Sequence, residues 1–189
     1  MLICVLAMGA ISTARRLSLR QQRILFDVIY SHPASHVSSG IYITVQGELF
    51  EFKEAKSLIQ WALMPKSTQP FTAYQLFRST YGFSGEQIAS IDEDMLKHMT
   101  DLTQQASQGE GSNRQFLCDD AGSLIYRAFL YDFEYHTHTP VFLYGYGDVY
   151  QENMSNESKI LVEWLTAFYR QSAFQIDLAS CTPDDTKRQ

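Results

Sequence analysis

Between Tyr126 and Tyr150 the chain alternates large aromatic residues with polar ones, and that period of two commits the region to extended strands. Successive side chains on a strand leave opposite faces. Phe129, Tyr131, Phe133 and Tyr135 therefore fall on one side, and Asp132, Glu134, His136 and His138 on the other. Gly145-Tyr-Gly147 reads as a turn after the alternation. A sheet face this rich in aromatic rings has to be covered, so the rest of the chain must supply helices to pack on it.

The chain supplies them, interleaved with further strands. The apolar run Leu2–Met8 reads as a buried strand, and Ser18-Leu-Arg-Gln21 as a capping box opening a helix. Leu25, Val28, Ile29 and His32 form its apolar side, and Pro33 ends it. Ile41, Ile43 and Val45 then alternate with Tyr42 and Thr44, and Gln46-Gly47 turns the chain into Glu48–Phe52 as a hairpin. Ala55, Leu58, Ile59, Ala62 and Leu63 return to helical spacing, which ends near Pro65. A short helix follows around Ala73–Tyr81, with Gly82 at its left-handed end. Ser84-Gly-Glu-Gln87 is a second capping box, opening the longest expected helix through Ile88, Ile91, Met95, Leu96, Met99, Leu102 and Ala106. The polar segment 108–113 reads as an exposed loop and the candidate mobile link. Strands are expected at Phe116–Cys118, from Leu124 onward and at Phe174–Leu178, with a helix over Asn156–Arg170. The whole predicts one α+β domain over residues 1–189, an antiparallel or mixed sheet packed against several helices. The alternation is too irregular for a doubly wound fold, and there is no internal repeat. A length of 189 residues suits one hydrophobic core.

Charge and cysteines narrow the partners. A formal net charge of −6 argues against nucleic acid, whose phosphates demand a basic surface. The charge is uneven: Arg15, Arg16, Arg20 and Arg23 lie early, while Asp119, Asp120, Asp132, Glu134, Asp148, Glu152, Glu157 and Glu163 make the later half acidic. The run Met1–Ile11 lacks a preceding basic segment and is shorter than the roughly 20 residues of a spanning helix, so no membrane partner is expected. Cys4, Cys118 and Cys181 are widely spaced and odd in number, which predicts reduced thiols and a cytoplasmic location.

Several constellations compete for chemistry. Glu134, His136 and His138 at i, i+2 and i+4 would share a strand face, and a turn bringing Asp148 near would complete a zinc or iron site with hydrolytic capacity. Asp27, Glu51 and Lys53 resemble the elements of a magnesium-dependent nuclease, and Glu-x-Lys is equally an ordinary surface ion pair. Ser123 or Cys118 with His136 and Asp132 would need folding to assemble a nucleophile, and no Gly-x-Ser-x-Gly elbow is present. Gly145-Tyr-Gly147 and Gly109-Glu-Gly111 lack the patterns of nucleotide-binding loops, and Pro33 separates His32 from His36. The favoured reading is recognition without a cofactor. Tyrosines and acids at Asp132, Glu134, Tyr146 and Asp148 would present an acidic, aromatic surface to another protein with a basic face, as an adaptor, regulator or inhibitor. The alternative is a metal-dependent hydrolase using Glu134, His136, His138 and Asp148.

Overall fold

The strand β1 (Ile24–His32) has apolar side chains on both of its faces, because both faces of the sheet around it are covered. The computed structural model describes residues 23–32, 37–56, 70–81, 85–118 and 121–173. Leu25, Val28, Ile29 and His32 were expected on a helix, and their place in β1 corrects that reading. An apolar run buried on both sides carries no alternation, so its spacing fits a helix as well as a strand. The β-branched Ile24, Val28 and Ile29 and the aromatic Phe26 favour the strand. β1 pairs with β2 (Val37–Thr44) on one side and β7 (Ser123–Asp132) on the other.

The remaining strands extend the sheet in both directions. β3 (Glu48–Lys56) closes the expected hairpin with β2 through Gly47 at φ 77°, and β5 (Glu86–Ser90) lies outside β3. Beyond β7 come β8 (Thr137–Gly147), β9 (Val149–Glu152) and the short β6 (Gln115–Phe116). The order is β5-β3-β2-β1-β7-β8-β9-β6, and each ladder between described strands is antiparallel. The outer edge of β8 is shared, with β4 (Phe71–Thr72) pairing at His138 and Thr137, and β9 at Tyr144 and Gly145. Gly40 sits so close to β1 that a side chain there would strike the carbonyl of Val28. This is why the β1–β2 ladder needs glycine at that register.

Among the described residues one face of the sheet carries two helices, α2 (Glu93–Ala106) and α3 (Asn156–Tyr169), packed on each other and on β7 and β8. Leu96, Met99, Leu102 and Ala106 from α2 and Leu161, Leu165 and Tyr169 from α3 meet Phe26, Val28, Ile41, Ile43, Leu124, Tyr126 and Leu143. Complete burial of one such side chain contributes about 1.5–3 kcal/mol. α3 matches its expected span within a residue, and Ser155 caps it by accepting from the Ser158 amide at 3.1 Å. α2 begins later than expected. Its cap is Asp92, accepting from the amides of Asp94 and Met95, whereas Glu86–Ser90 of the supposed first turns pair with β3 as β5. Glu93 and Asp94 in its first turn suit the positive helix end.

Among the described residues the other face is covered by the strap 71–81: β4, then α1 (Ala73–Leu76), then a π-helical turn Phe77–Tyr81. Thr72 and Gln75 form a reciprocal capping box at its start. Phe71, Leu76, Phe77 and Tyr81 bury against Ile29, Tyr42, Phe52 and Phe129. The assembly is a single α+β domain with an antiparallel sheet between helices.

Two polar side chains, the buried Asn153 and the half-buried Asp148, tie its corners. Asn153 donates to the carbonyls of Ala106 (2.8 Å) and Phe142 (3.3 Å) and accepts from Ser155 N (3.1 Å), joining the end of α2, β8 and the start of α3. Asp148 accepts from the amides of Ala121 and Gly122, fixing the entry to β7 against the β8–β9 corner. Segment 108–113 is bonded alongside 152–154, with Ser112 N donating to Glu152 O and Met154 N to Glu110 O. Cys118 is disulfide-bonded, which corrects the expectation of reduced thiols there; Cys4 and Cys181 lie outside the described residues. So do the expected strands at 2–8 and 174–178, both cap residues Ser18 and Ser84, Gly82, His36 and residues 57–63 of the helix expected from Ala55 to Leu63; Ala55 itself lies in β3, paired with Ser38, which corrects its place on a helix. Among the described residues no helix is long and apolar enough to cross a membrane.

Candidate partner-binding surface

The alternating stretch runs through β7, β8 and the start of β9 and is not one strand; the chain first reverses at Phe133–His136. Asp132 ends β7 and sets the turn. Its Oδ1 accepts from the amides of Glu134 (2.8 Å) and Tyr135 (2.9 Å), the geometry by which aspartate imitates a backbone turn. His136 closes the loop at φ 51°, a left-handed conformation that histidine tolerates better than bulkier or β-branched residues. The Tyr131 hydroxyl lies 2.9 Å from His136 Nδ1. Gly145-Tyr-Gly147, expected as the turn, instead lies within β8.

This tip displays two aromatic rings to solvent: Phe133 is 71% exposed and Tyr135 68%. Behind them the tip is braced. Tyr131 meets Phe133 edge-on at 5.0 Å, and the Arg23 guanidinium lies over both rings at 5.5 and 5.3 Å. Glu134 is exposed between the two aromatics, while the carboxylate of Asp132 is engaged with the turn.

The expected partner-binding residues divide between the two ends of β8. Asp132 and Glu134 are at the tip. Tyr146 is half-buried beside Tyr144 on the helix-covered face, and Asp148 braces the far corner. From His138 to Asp148 the extended chain travels about 33 Å, at about 3.3 Å per residue. The metal alternative fails on the same geometry. Glu134 and His136 are in the exposed turn, His138 is fully buried in β8 and Asp148 lies at the opposite end, so the four do not converge. Among the described residues no group of histidine, cysteine, aspartate and glutamate could hold a metal ion.

The other chemical constellations also disperse. Ser123 and Asp132 occupy opposite ends of β7, and Glu51 accepts from Ala173 N at 2.8 Å. Asp27 is buried and faces Arg127 across the β1–β7 register. Arg127 Nε meets Asp27 Oδ1 at 3.0 Å, a terminal guanidinium nitrogen meets Oδ2 at 2.6 Å, and the Tyr81 hydroxyl donates to Oδ2 at 2.7 Å. Burial opposes the charge on Arg127, but Asp27 more than offsets it, leaving its pKa above the ordinary value. Burial, and then Asp27, raise that of Tyr81 well above the usual phenol. This is an internal brace between the sheet and the strap. Tyr144, beside Tyr126, Tyr146 and Tyr150, is pushed up to about 12, first by burial and then by those neighbouring phenols, so it stays neutral.

His138 has a role that its sequence position concealed. Its Nε2 accepts from Ile24 N at 3.1 Å, so the ring is neutral there, and Nδ1 is left to donate to Phe71 O at 3.2 Å. Burial is the main force holding its pKa down at about 4; the Phe71 bond opposes that, and Arg23 adds to it. Alternation placed this histidine on a strand face. It carried no sign of the strap that covers it, or that Phe133 and Tyr135 would reach solvent while Phe129 does not. Comparisons with protein-family models, with curated proteins and with solved structures each returned no match for this chain.

Proposed function

We propose that this protein is a binding module whose β7–β8 hairpin tip docks into a folded protein partner, in the manner of an adaptor, regulator or inhibitor. The observation that carries this reading is the pair of exposed rings, Phe133 and Tyr135, on a turn stiffened by Asp132 and Arg23. Burial of a preorganised aromatic costs little ordering entropy, and such residues dominate binding energy at interfaces. Glu134 between them favours a basic rim on the partner's pocket. Of the four residues expected to bind, Asp132 shapes this tip and Glu134 lies in contact range of a docked partner. Tyr146 and Asp148 support the fold at the other end of β8. The cytoplasmic location rested on reduced thiols; the disulfide at Cys118 withdraws that support and suits an oxidising compartment better.

The test begins with a partner recovered from the native source and purified. Its affinity is measured against the wild type, a Phe133→Ala/Tyr135→Ala double variant and Glu134→Lys. Two lost anchors of at least about 2 kcal/mol each weaken binding by about 1,000-fold or more. Glu134→Lys weakens it less and removes part of its salt dependence. Equal affinity for all three folded proteins would reject the tip as the docking surface.

A further inference from the structure

We propose that His138 is an acid-released latch: its neutral ring holds the strap 71–81 to the start of β1, and protonation raises the population in which they part. The ring stands between two backbone groups of opposite character. Nε2 receives the Ile24 amide and Nδ1 faces the Phe71 carbonyl, so one uncharged tautomer satisfies both. An imidazolium has a hydrogen on each nitrogen and would turn a donor against the Ile24 amide. The position leaves no easy escape, since His138 is fully buried, with Tyr131 edge-on at 4.9 Å and Phe129 at 6.1 Å.

The surrounding charges do not rescue the protonated ring. From the residue before β1, Arg23 opposes it. From β7 the neighbours are the phenol of Tyr131 and the cation of Arg127, which lies over Phe129 and is neutralised by Asp27 of β1. On the β8 side, His136 shares the Tyr131 hydroxyl, and the strap meets the ring through the Phe71 carbonyl. Release has consequences at both ends. It frees Phe71, the first residue of the strap that covers Tyr42, Phe52 and Phe129. It also frees Ile24, whose neighbour Arg23 clamps Tyr131 and Phe133 at the tip. The latch stands whether or not that tip binds a partner.

Amide hydrogen exchange of the full chain, corrected for intrinsic rates, tests the proposal in the native pH range. An open state with an ordinary histidine and a closed state near 4 make strap opening about 20-fold more frequent at about pH 5 than at about pH 7. Amides of the β1–β7 ladder should remain protected. His138→Gln can accept from Ile24 and donate to Phe71 without titrating, so its strap exchange should not depend on pH. The same pH response in His138→Gln, or strap exchange that simply follows the β1–β7 core, would overturn the latch. Should that variant fail to fold, nitrogen NMR of the wild-type ring decides instead. A neutral ring protonated on Nδ1 at about pH 6 supports the proposal, and an imidazolium or the other tautomer at that pH refutes it.

Discussion

Removing the carboxylate of Asp27 should destabilise this domain more than almost any other single polar change, and the geometry says by how much. Asp27 accepts two bonds from Arg127, at 3.0 and 2.6 Å, and one from Tyr81 at 2.7 Å. Asp27→Ala leaves a guanidinium that is 5% exposed without its counter-charge. Breaking a buried pair by deleting one partner costs about 3–5 kcal/mol, because the remaining charge stays desolvated. The Tyr81 hydroxyl loses its acceptor as well, adding about 1 kcal/mol. Against a total stability of about 5–15 kcal/mol, that is a large share. Tyr81→Phe gives an internal scale: it removes one bond to a charged acceptor, about 1.5–3 kcal/mol, and leaves the ion pair intact. The assay is urea unfolding of the wild type, both single variants and Asp27→Leu/Arg127→Met. That double variant removes both charges and should recover most of the loss, since apolar side chains of similar volume replace buried pairs at little cost. A loss under about 1 kcal/mol in Asp27→Ala, or a double variant as unstable as the single, would refute the reasoning.

Two further outcomes follow from the polar interior. His138 is held at about 4 against an ordinary 6.5, so the stability it confers by staying neutral is complete above about pH 6.5 and lost as pH falls towards 4. The loss amounts to about 3 kcal/mol; unfolding measured across that window should show it in the wild type and not in His138→Gln. Asn153→Ala removes donors from the Ala106 and Phe142 carbonyls and an acceptor from the Ser155 amide. It should cost about 2–3 kcal/mol, seen calorimetrically as a fall in melting temperature of about 5–10 °C, and an unchanged melting temperature would contradict its role as a corner tie.

Local chemistry determined those elements with an unambiguous turn, cap or end. The β2–β3 hairpin followed from alternation at Ile41, Ile43 and Val45 with Gly47 at the turn, and α3 from its apolar stripe after Ser155. Sheet and helix together made an α+β domain legible in the sequence. Of the residues grouped as a partner surface, Asp132 and Glu134 lie at the proposed tip, and Tyr146 and Asp148 lie at the other end of β8. A period of two states which side chains share a face and is silent on where a strand reverses. The reversal at Phe133–His136 rests on the capping of Asp132 and the left-handed His136.

Tertiary structure decided the rest, chiefly because an apolar run buried on both faces loses its alternation. Ile24–Ile29 is covered by helices on one face and by the strap on the other, so its alternation vanishes and helix and strand look alike until the partners β2 and β7 are in place. Ser84-Gly-Glu-Gln87 offered a capping box, yet Glu86 and Gln87 pair with β3 as part of a strand and Asp92 is left to start the helix. By residue type, Asp27 and His138 are candidate ligands, because they can carry charge or bind metal. Only long-range packing placed Arg127 opposite one and the Ile24 and Phe71 backbone on either side of the other, making both of them supports of the strap.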